Sequence, residues 1–130
     1  MRRTFATLVR LALGTLALLA SAATASAGEA PPERDVTYRA GGLAVVGTLA
    51  APAGPGPVPI VLMLHGMGGA RDGSRVRGSD LRLFAELAAQ FARRGVASLR
   101  ISTGGRGGSE GAFVDLTLAR RLDEALAAAA

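Results

Sequence analysis

A serine in a glycine-rich setting is the first candidate for chemistry in this sequence. Residues 107–111 read GGSEG and match G-x-S-x-G, the pattern in which a strained turn between a strand and a helix presents a nucleophilic serine. Ser109 is therefore the side chain whose type and spacing could attack a carbonyl carbon in acyl transfer. Such a serine needs a histidine that accepts its proton and a carboxylate that orients this histidine.

The sequence around Ser109 argues against that role. Residues 102–108 read STGGRGG, which a central strand would not tolerate, and residues 111–113 delay any helix. The sequence has one histidine, His65, and it precedes Ser109, whereas the G-x-S-x-G enzymes place their histidine after the serine. We therefore reject Ser109 as a nucleophile and expect no catalytic residue within these 130 residues.

A second glycine-rich motif, HGMGG at residues 65–69, directly follows the apolar run IVLML at residues 60–64. A run that is apolar at every position predicts a strand buried on both faces, in the middle of a parallel sheet. A glycine-rich turn at the carboxyl end of such a strand leaves backbone N–H groups unpaired, where they can bind a developing oxyanion. The alternative is a tight turn without a function, since glycine-rich turns are common.

Hydrophobic patterning predicts the elements that position these two motifs. Two strands flank Gly41 and Gly42, which suit a hairpin turn. A helix that Ser79 caps and that begins at Asp80 should end at Gly95, between two further strands. Strand, helix and strand in this order form a βαβ unit with parallel strands. The predicted elements are strands at residues 35–40, 43–52, 60–64 and 96–101, and helices at residues 80–94 and 116–130.

The two motifs, in this order and around a βαβ unit, resemble the first half of an α/β hydrolase. The dienelactone-hydrolase and serine-aminopeptidase-like branch is the most similar. The resemblance covers residues 35–130 and implies a partial α/β-hydrolase fold without a cofactor. For the whole enzyme it implies hydrolysis of a small-molecule ester, thioester or peptide-like amide. The elbow serine, the acid and the triad histidine would then follow Ala130.

The resemblance also assigns roles within the two motifs. The backbone N–H of Met67 would be one donor of the oxyanion hole, and His65 would hydrogen-bond its own loop rather than serve in the triad. Ser102 and Gly104 depart from the pattern, because relatives often carry Asp and Arg there. The other loop residues would be structural: Gly66, Gly68, Gly69, Arg106 and Ser109.

Composition excludes several other kinds of function. The sequence has no lysine and no cysteine, which excludes a Walker-type phosphate loop, a Schiff-base lysine, a thiol nucleophile and a Cys-ligated zinc. One histidine cannot form a multi-His metal site within a chain. The arginines are scattered and the aromatic residues few, so we expect no binding to nucleic acid.

The amino terminus has the pattern of a secretory signal peptide at residues 1–27. Arginines precede an uncharged stretch of 15 residues, and Ala25-Ser26-Ala27 predicts cleavage after Ala27. The stretch is shorter than the roughly 20 residues of a membrane-spanning helix, so no stable anchor is expected after cleavage. The sequence thus predicts export to the periplasm or the extracellular space, with Sec and twin-arginine routes both open, and a polar leader at residues 28–34.

Charged residues outside the two motifs are predicted to be solvated. Asp115 should start the last helix, whose exposed face would carry two arginines and two acidic residues. The alternative to an enzyme is a small secreted binding module built on half of the fold. The residues expected in solvent are Arg71, Arg75, Arg77, Arg120, Arg121, Asp123 and Glu124.

Overall fold

The computed structural model of this protein describes residues 31–67 and 69–130. The predicted signal peptide and Gly68 lie outside the described residues. Within the described part, neither α-helix is long and apolar enough to cross a membrane. The elements in chain order are β1 (Glu33–Ala40), β2 (Leu43–Ala50), β3 (Ile60–Leu64), α1 (Leu83–Arg93), β4 (Ala97–Ile101), a 3-10 turn (Phe113–Asp115) and α2 (Leu118–Ala128).

The strands form one mixed sheet in the order β1-β2-β4-β3. β1 and β2 are an antiparallel hairpin, and Gly41 and Gly42 have φ values of 56° and 83°, as a two-residue hairpin turn requires. β2 pairs antiparallel with β4, while β3 and β4 are parallel, with Leu64 opposite Ile101. The predicted partial α/β fold, a hairpin followed by a βαβ unit and a last helix, is confirmed.

The prediction that β3 is buried on both faces is wrong. Among the described residues β3 pairs with β4 only and is the edge strand of the sheet. Ile60 is 59% exposed and Leu64 is 44% exposed, although Met63 is buried. The physical reason is that burial of an apolar run depends on neighbours on both sides, and the described chain supplies a neighbour on one side only.

The apolar core is divided between the two faces of the sheet. On one face Leu99 and Ile101 of β4 pack with Val45 and the end of α2. On the other face Met63 packs against Ala88 of α1 and its aromatic neighbours. Successive residues of a strand point to opposite faces, so the two helices cover opposite sides of the sheet.

The helix starts and the start of β1 differ from the predictions. α1 begins at Leu83 and not at Asp80, because Ser79 Oγ accepts the N–H of Leu81 within a turn (3.3 Å) rather than capping the helix. α2 begins at Leu118, because Thr117 Oγ1 accepts the N–H of Arg120 (3.1 Å), whereas Asp115 ends the 3-10 turn before it. β1 begins at Glu33, inside the predicted leader. The predicted stop at Gly95 is confirmed, with φ +78° after the last turn of α1.

Candidate functional site

Both glycine-rich motifs lie at the carboxyl ends of parallel strands. The first loop, residues 65–69, follows β3, and the second loop, residues 102–111, follows β4. Since parallel strands end at the same edge of a sheet, the two loops are neighbours. In open α/β sheets this edge is where ligands bind.

The first loop contains a tight turn. The N–H of Gly69 donates to the carbonyl oxygen of Gly66 (2.9 Å), which places Met67 at the second position of the turn, with a negative φ. The His65 ring is buried, and its Nδ1 lies 2.7 Å from the same carbonyl oxygen. A carbonyl oxygen can only accept, so Nδ1 carries the proton and donates. A Cβ at Gly69 would lie 3.1 Å from this nitrogen, so a side chain at this position would crowd the His65 ring.

These two hydrogen bonds orient the candidate oxyanion donor. They fix the carbonyl of the peptide that joins Gly66 to Met67, and because a peptide is planar and trans, the N–H of Met67 points the opposite way. None of the described residues accepts a hydrogen bond from this N–H. The turn therefore presents one oriented, unpaired backbone donor, and its part in catalysis stays a prediction.

An open cavity of about 380 Å³ adjoins the first loop. Its apolar wall includes Met67 together with Leu83 and Phe84 from the start of α1, and none of the described Asp, Glu or Arg residues lines it. Gly73 allows the chain to pass close to α1, since a Cβ there would lie 2.8 Å from the backbone nitrogen of Phe84. The volume falls in the range of roughly 300–1,000 Å³ that is typical of small-molecule sites.

Ser109 lies in the second loop and is bound to its own surroundings. Its hydroxyl accepts the N–H of Val46 (2.9 Å) and donates to the carbonyl oxygen of Ser102 (3.2 Å), and the residue is 8% exposed. Both partners are backbone groups, so the hydroxyl proton is directed to a carbonyl and not to a general base. This geometry ties the second loop to β2. The structural role that we assign to Ser109 stays a prediction.

The rest of the second loop is compact and polar. The guanidinium of Arg106 stacks on the Phe113 ring at 4.0 Å from its centroid, a cation–π contact. Gly105 has φ +73°, its N–H donates to the carbonyl of Glu110 (3.1 Å), and a Cβ there would collide with the backbone of Phe113. Arg106 therefore packs its own loop rather than reaching the first loop.

The prediction that Arg120, Arg121 and Glu124 lie on an ordinary exposed face of α2 is wrong. The side chain of Arg120 is 22% exposed, and its Nε lies 3.5 Å from Oε1 of Glu124. Arg121 Nη2 donates to the carbonyl oxygen of His65 (2.6 Å), in the first loop. Glu124 is 2% exposed, and its Oε1 accepts the N–H of Gly104 (3.1 Å), in the second loop. The i, i+3 spacing puts the side chains of Arg121 and Glu124 on one face. The sequence pattern does not identify their backbone partners in the two loops, although it does allow the ion pair between Glu124 and Arg120.

Arg100 is another buried charge that the sequence analysis missed. This β4 residue is 2% exposed and donates two hydrogen bonds to Glu33 (3.0 and 2.9 Å), while Nη2 lies 3.3 Å from Asp72. Arg71, expected in solvent, is half-buried and pairs with Asp35 at 3.4 Å. Together these side chains tie β1 to the segment that leads into α1.

Comparison with solved structures finds α/β hydrolases. Est1E from Butyrivibrio proteoclasticus, solved with ferulic acid bound, is 26% identical, with a TM-score of 0.62 over 72% of this chain and 35% of that chain. A predicted hydrolase from Agrobacterium vitis S4 is 28% identical, with a TM-score of 0.57 over 75% of this chain and 34% of that chain. A scan against protein-family models finds no match, and a search of curated proteins finds none.

The described residues therefore have part of an α/β-hydrolase fold, and the resemblance stated from the two motifs is confirmed at that level. This chain spans about a third of the length of each of these two structures. The closer assignment to the dienelactone-hydrolase and serine-aminopeptidase-like branch stays a prediction.

Proposed function

We propose that this chain is the amino-terminal portion of an exported serine hydrolase that cleaves ester, thioester or amide bonds by acyl transfer. One observation carries the proposal: the N–H of Met67 is oriented and, among the described residues, unpaired. It lies at the carboxyl end of a parallel strand, next to a cavity with an apolar wall. The fold similarity to α/β hydrolases supports it.

The chemistry of the first loop follows from that orientation. Attack on a carbonyl carbon moves negative charge onto its oxygen, and a preorganised N–H stabilises this charge in the transition state. The Met67 N–H would donate to that oxygen. The acyl group would lie in the adjoining cavity, against Leu83 and Phe84. Because Est1E holds ferulic acid, an aromatic carboxylic acid, aryl and cinnamate-type esters are the first substrates to test.

The proposal places the nucleophile, the acid and the triad histidine after Ala130. The Ser109 hydroxyl donates to a backbone carbonyl and accepts from a backbone N–H, and Nε2 of His65 has no hydrogen-bond partner among the described residues. No hydrogen bond joins these two side chains, so they do not form a nucleophile–base pair. The roles of His65, Gly66, Gly69, Arg106 and Ser109 are then to shape the two loops. Gly68 belongs to the same motif but lies outside the described residues.

Labelling with a fluorophosphonate probe tests this assignment. The samples are the 130-residue chain and the extended product, which is the protein translated with the codons that follow residue 130. We expect no label on the 130-residue chain, and label on the extended product that persists in Ser109→Ala. Label on the 130-residue chain that disappears in Ser109→Ala would show Ser109 to be the nucleophile. An unlabelled extended product would favour the non-catalytic binding module.

A further inference from the structure

We infer that Arg121 is a positioning residue for the oxyanion turn, an inference that rests on the function proposed above. Its Nη2 donates to the carbonyl oxygen of His65 (2.6 Å), at the residue where β3 passes into the first loop. The bond is partly buried and its donor is charged, and hydrogen bonds of this kind are shorter and stronger than neutral ones.

The hydrogen bond from Arg121 restrains the peptide between His65 and Gly66. The carbonyl of His65 and the N–H of Gly66 belong to one planar peptide, and the next peptide carries the N–H of Met67. Gly69 and the His65 ring hold the carbonyl of that next peptide. Arg121 therefore fixes the one remaining peptide at the entry to the turn, and rotation of this peptide would redirect the Met67 donor.

The guanidinium also contacts the residue that carries the donor. Nη1 of Arg121 lies 3.8 Å from Sδ of Met67, while Nη2 remains on the carbonyl of His65. A planar guanidinium holds its two terminal nitrogens at a fixed spacing, so one side chain can contact both ends of the segment. A lysine could replace the bond to the carbonyl but not both contacts.

The helix that presents Arg121 is itself anchored at other points. Glu124, one turn further along the same face, accepts the N–H of Gly104 in the second loop (3.1 Å). The hydroxyl of Tyr38 in β1 donates to the carbonyl oxygen of Glu124 (2.9 Å). α2 thereby links the two glycine-rich loops, with Arg121 on the first and Glu124 on the second.

Amide hydrogen exchange in the extended product tests the inference without requiring activity. The reporter is the N–H of Gly69, which closes the turn, and the variants are Arg121→Ala and Arg121→Lys. Arg77→Ala is the matched control, because Arg77 is an exposed arginine to which the described structure assigns no side-chain hydrogen bond or ion pair. Loss of a charged hydrogen bond should speed local opening about tenfold or more in Arg121→Ala.

We expect Arg121→Lys to restore part of the protection of Gly69 and Arg77→Ala to match the wild type. Amides of β1 and β2 should keep their exchange rates in all three variants, since the proposed effect is local. The inference is overturned if Gly69 in Arg121→Ala exchanges within about twofold of the wild type. It is overturned equally if exchange rises throughout the sheet and lysine restores nothing.

Ester hydrolysis by the extended product separates this inference from the proposed function. We expect Arg121→Ala to lower kcat about tenfold or more with KM unchanged, and lysine to recover part of kcat. If the extended product hydrolyses no ester, thioester or amide while the exchange result holds, the proposed function fails and the control of the turn by Arg121 stands. If it hydrolyses esters and Arg121→Ala keeps the wild-type kcat, the inference fails and the function stands.

Discussion

The bare edge of β3 should make this chain associate with itself. Among the described residues, β3 has β4 on one side and no strand on the other. The run Ile60–Leu64 contains no charge and no proline, the devices by which natural edge strands avoid pairing with another chain. We therefore expect residues 28–130, expressed alone, to be aggregated or partly folded.

The exposed apolar surface indicates the size of the effect. Leu118, Leu122 and Leu126 of α2 are 81%, 59% and 60% exposed. Full burial of a leucine side chain stabilises a protein by about 1.5–3 kcal/mol, so three leucines at roughly two-thirds exposure leave about 3–6 kcal/mol unrealised. That amount is comparable with the net stability of a typical domain, about 5–15 kcal/mol.

A charge placed on the edge strand distinguishes association through the edge of β3 from non-specific association through other exposed apolar residues. Ile60 is 59% exposed, whereas Leu62 packs against the cluster around Leu99, so a lysine at Leu62 would also damage the core. We expect Ile60→Lys to reduce association without giving a stable compact fold, because the leucines of α2 remain exposed. Val114→Lys is the control, since Val114 is 90% exposed but lies outside the sheet.

Sedimentation velocity over a concentration series, combined with thermal unfolding, measures both effects. The expected result is a concentration-dependent larger species that Ile60→Lys diminishes and Val114→Lys does not. A wild-type chain that sediments as one monomer and unfolds in one cooperative transition would refute the reasoning. Equal effects of the two lysines would show that added charge, and not the edge, controls association.

Three further predictions concern charge and processing. In the extended product, Glu33→Ala should lower the free energy of unfolding by about 2–3 kcal/mol, because it removes the main partner of buried Arg100. Arg100→Met should cost less, because the half-exposed carboxylates that it leaves can be hydrated. Denaturant unfolding in which Arg100→Met is the more costly change would contradict this. Burial raises the pKa of Tyr38 to about 12 from 10.0, with a smaller effect from Glu124, so the folded state binds this proton more tightly than the unfolded state. The contribution of this proton to the stability of the extended product is then constant below pH 10 and is lost between pH 10 and 12, so Tyr38→Phe should reduce the fall in stability over that range. An unchanged fall in Tyr38→Phe would refute this prediction. Mass spectrometry of the exported protein should find Gly28 as the first residue, and retention of residues 1–27 would contradict the predicted signal peptide.

The elements that the sequence predicted well are those set by local chemistry. Gly41 and Gly42 specify the hairpin because few other residues adopt their positive φ values, and Gly95 ends α1 for the same reason. The two loops could be placed from the glycines that follow each strand. The starts of the two helices could not be predicted from the sequence, because Ser79 and Asp115 are of types that commonly cap helices but lie in turns before them.

Burial of charged residues depends on partners that are distant in the sequence. Arg100 is paired with Glu33, 67 residues away. Glu124 has Arg120 one helical turn earlier, but it also accepts the N–H of Gly104, 20 residues away, and the sequence does not show that contact. A charged side chain without a visible partner is expected in solvent, and that expectation fails where the fold supplies the partner. For the same reason Arg121 was predicted to lie in solvent, since its partner is the backbone carbonyl of His65.

The most direct test of the central claim removes a single N–H. Met67→Pro deletes the proposed oxyanion donor at the second position of a turn, where proline is favoured, and Met67→Ala changes the side chain but keeps the N–H. In the extended product, loss of one such donor should lower kcat for an aryl ester by about 10²–10³ while KM changes little. Met67→Ala removes only part of the cavity wall and the contact with Arg121, so its kcat should stay within about tenfold of the wild type. Wild-type kcat in Met67→Pro would contradict the account.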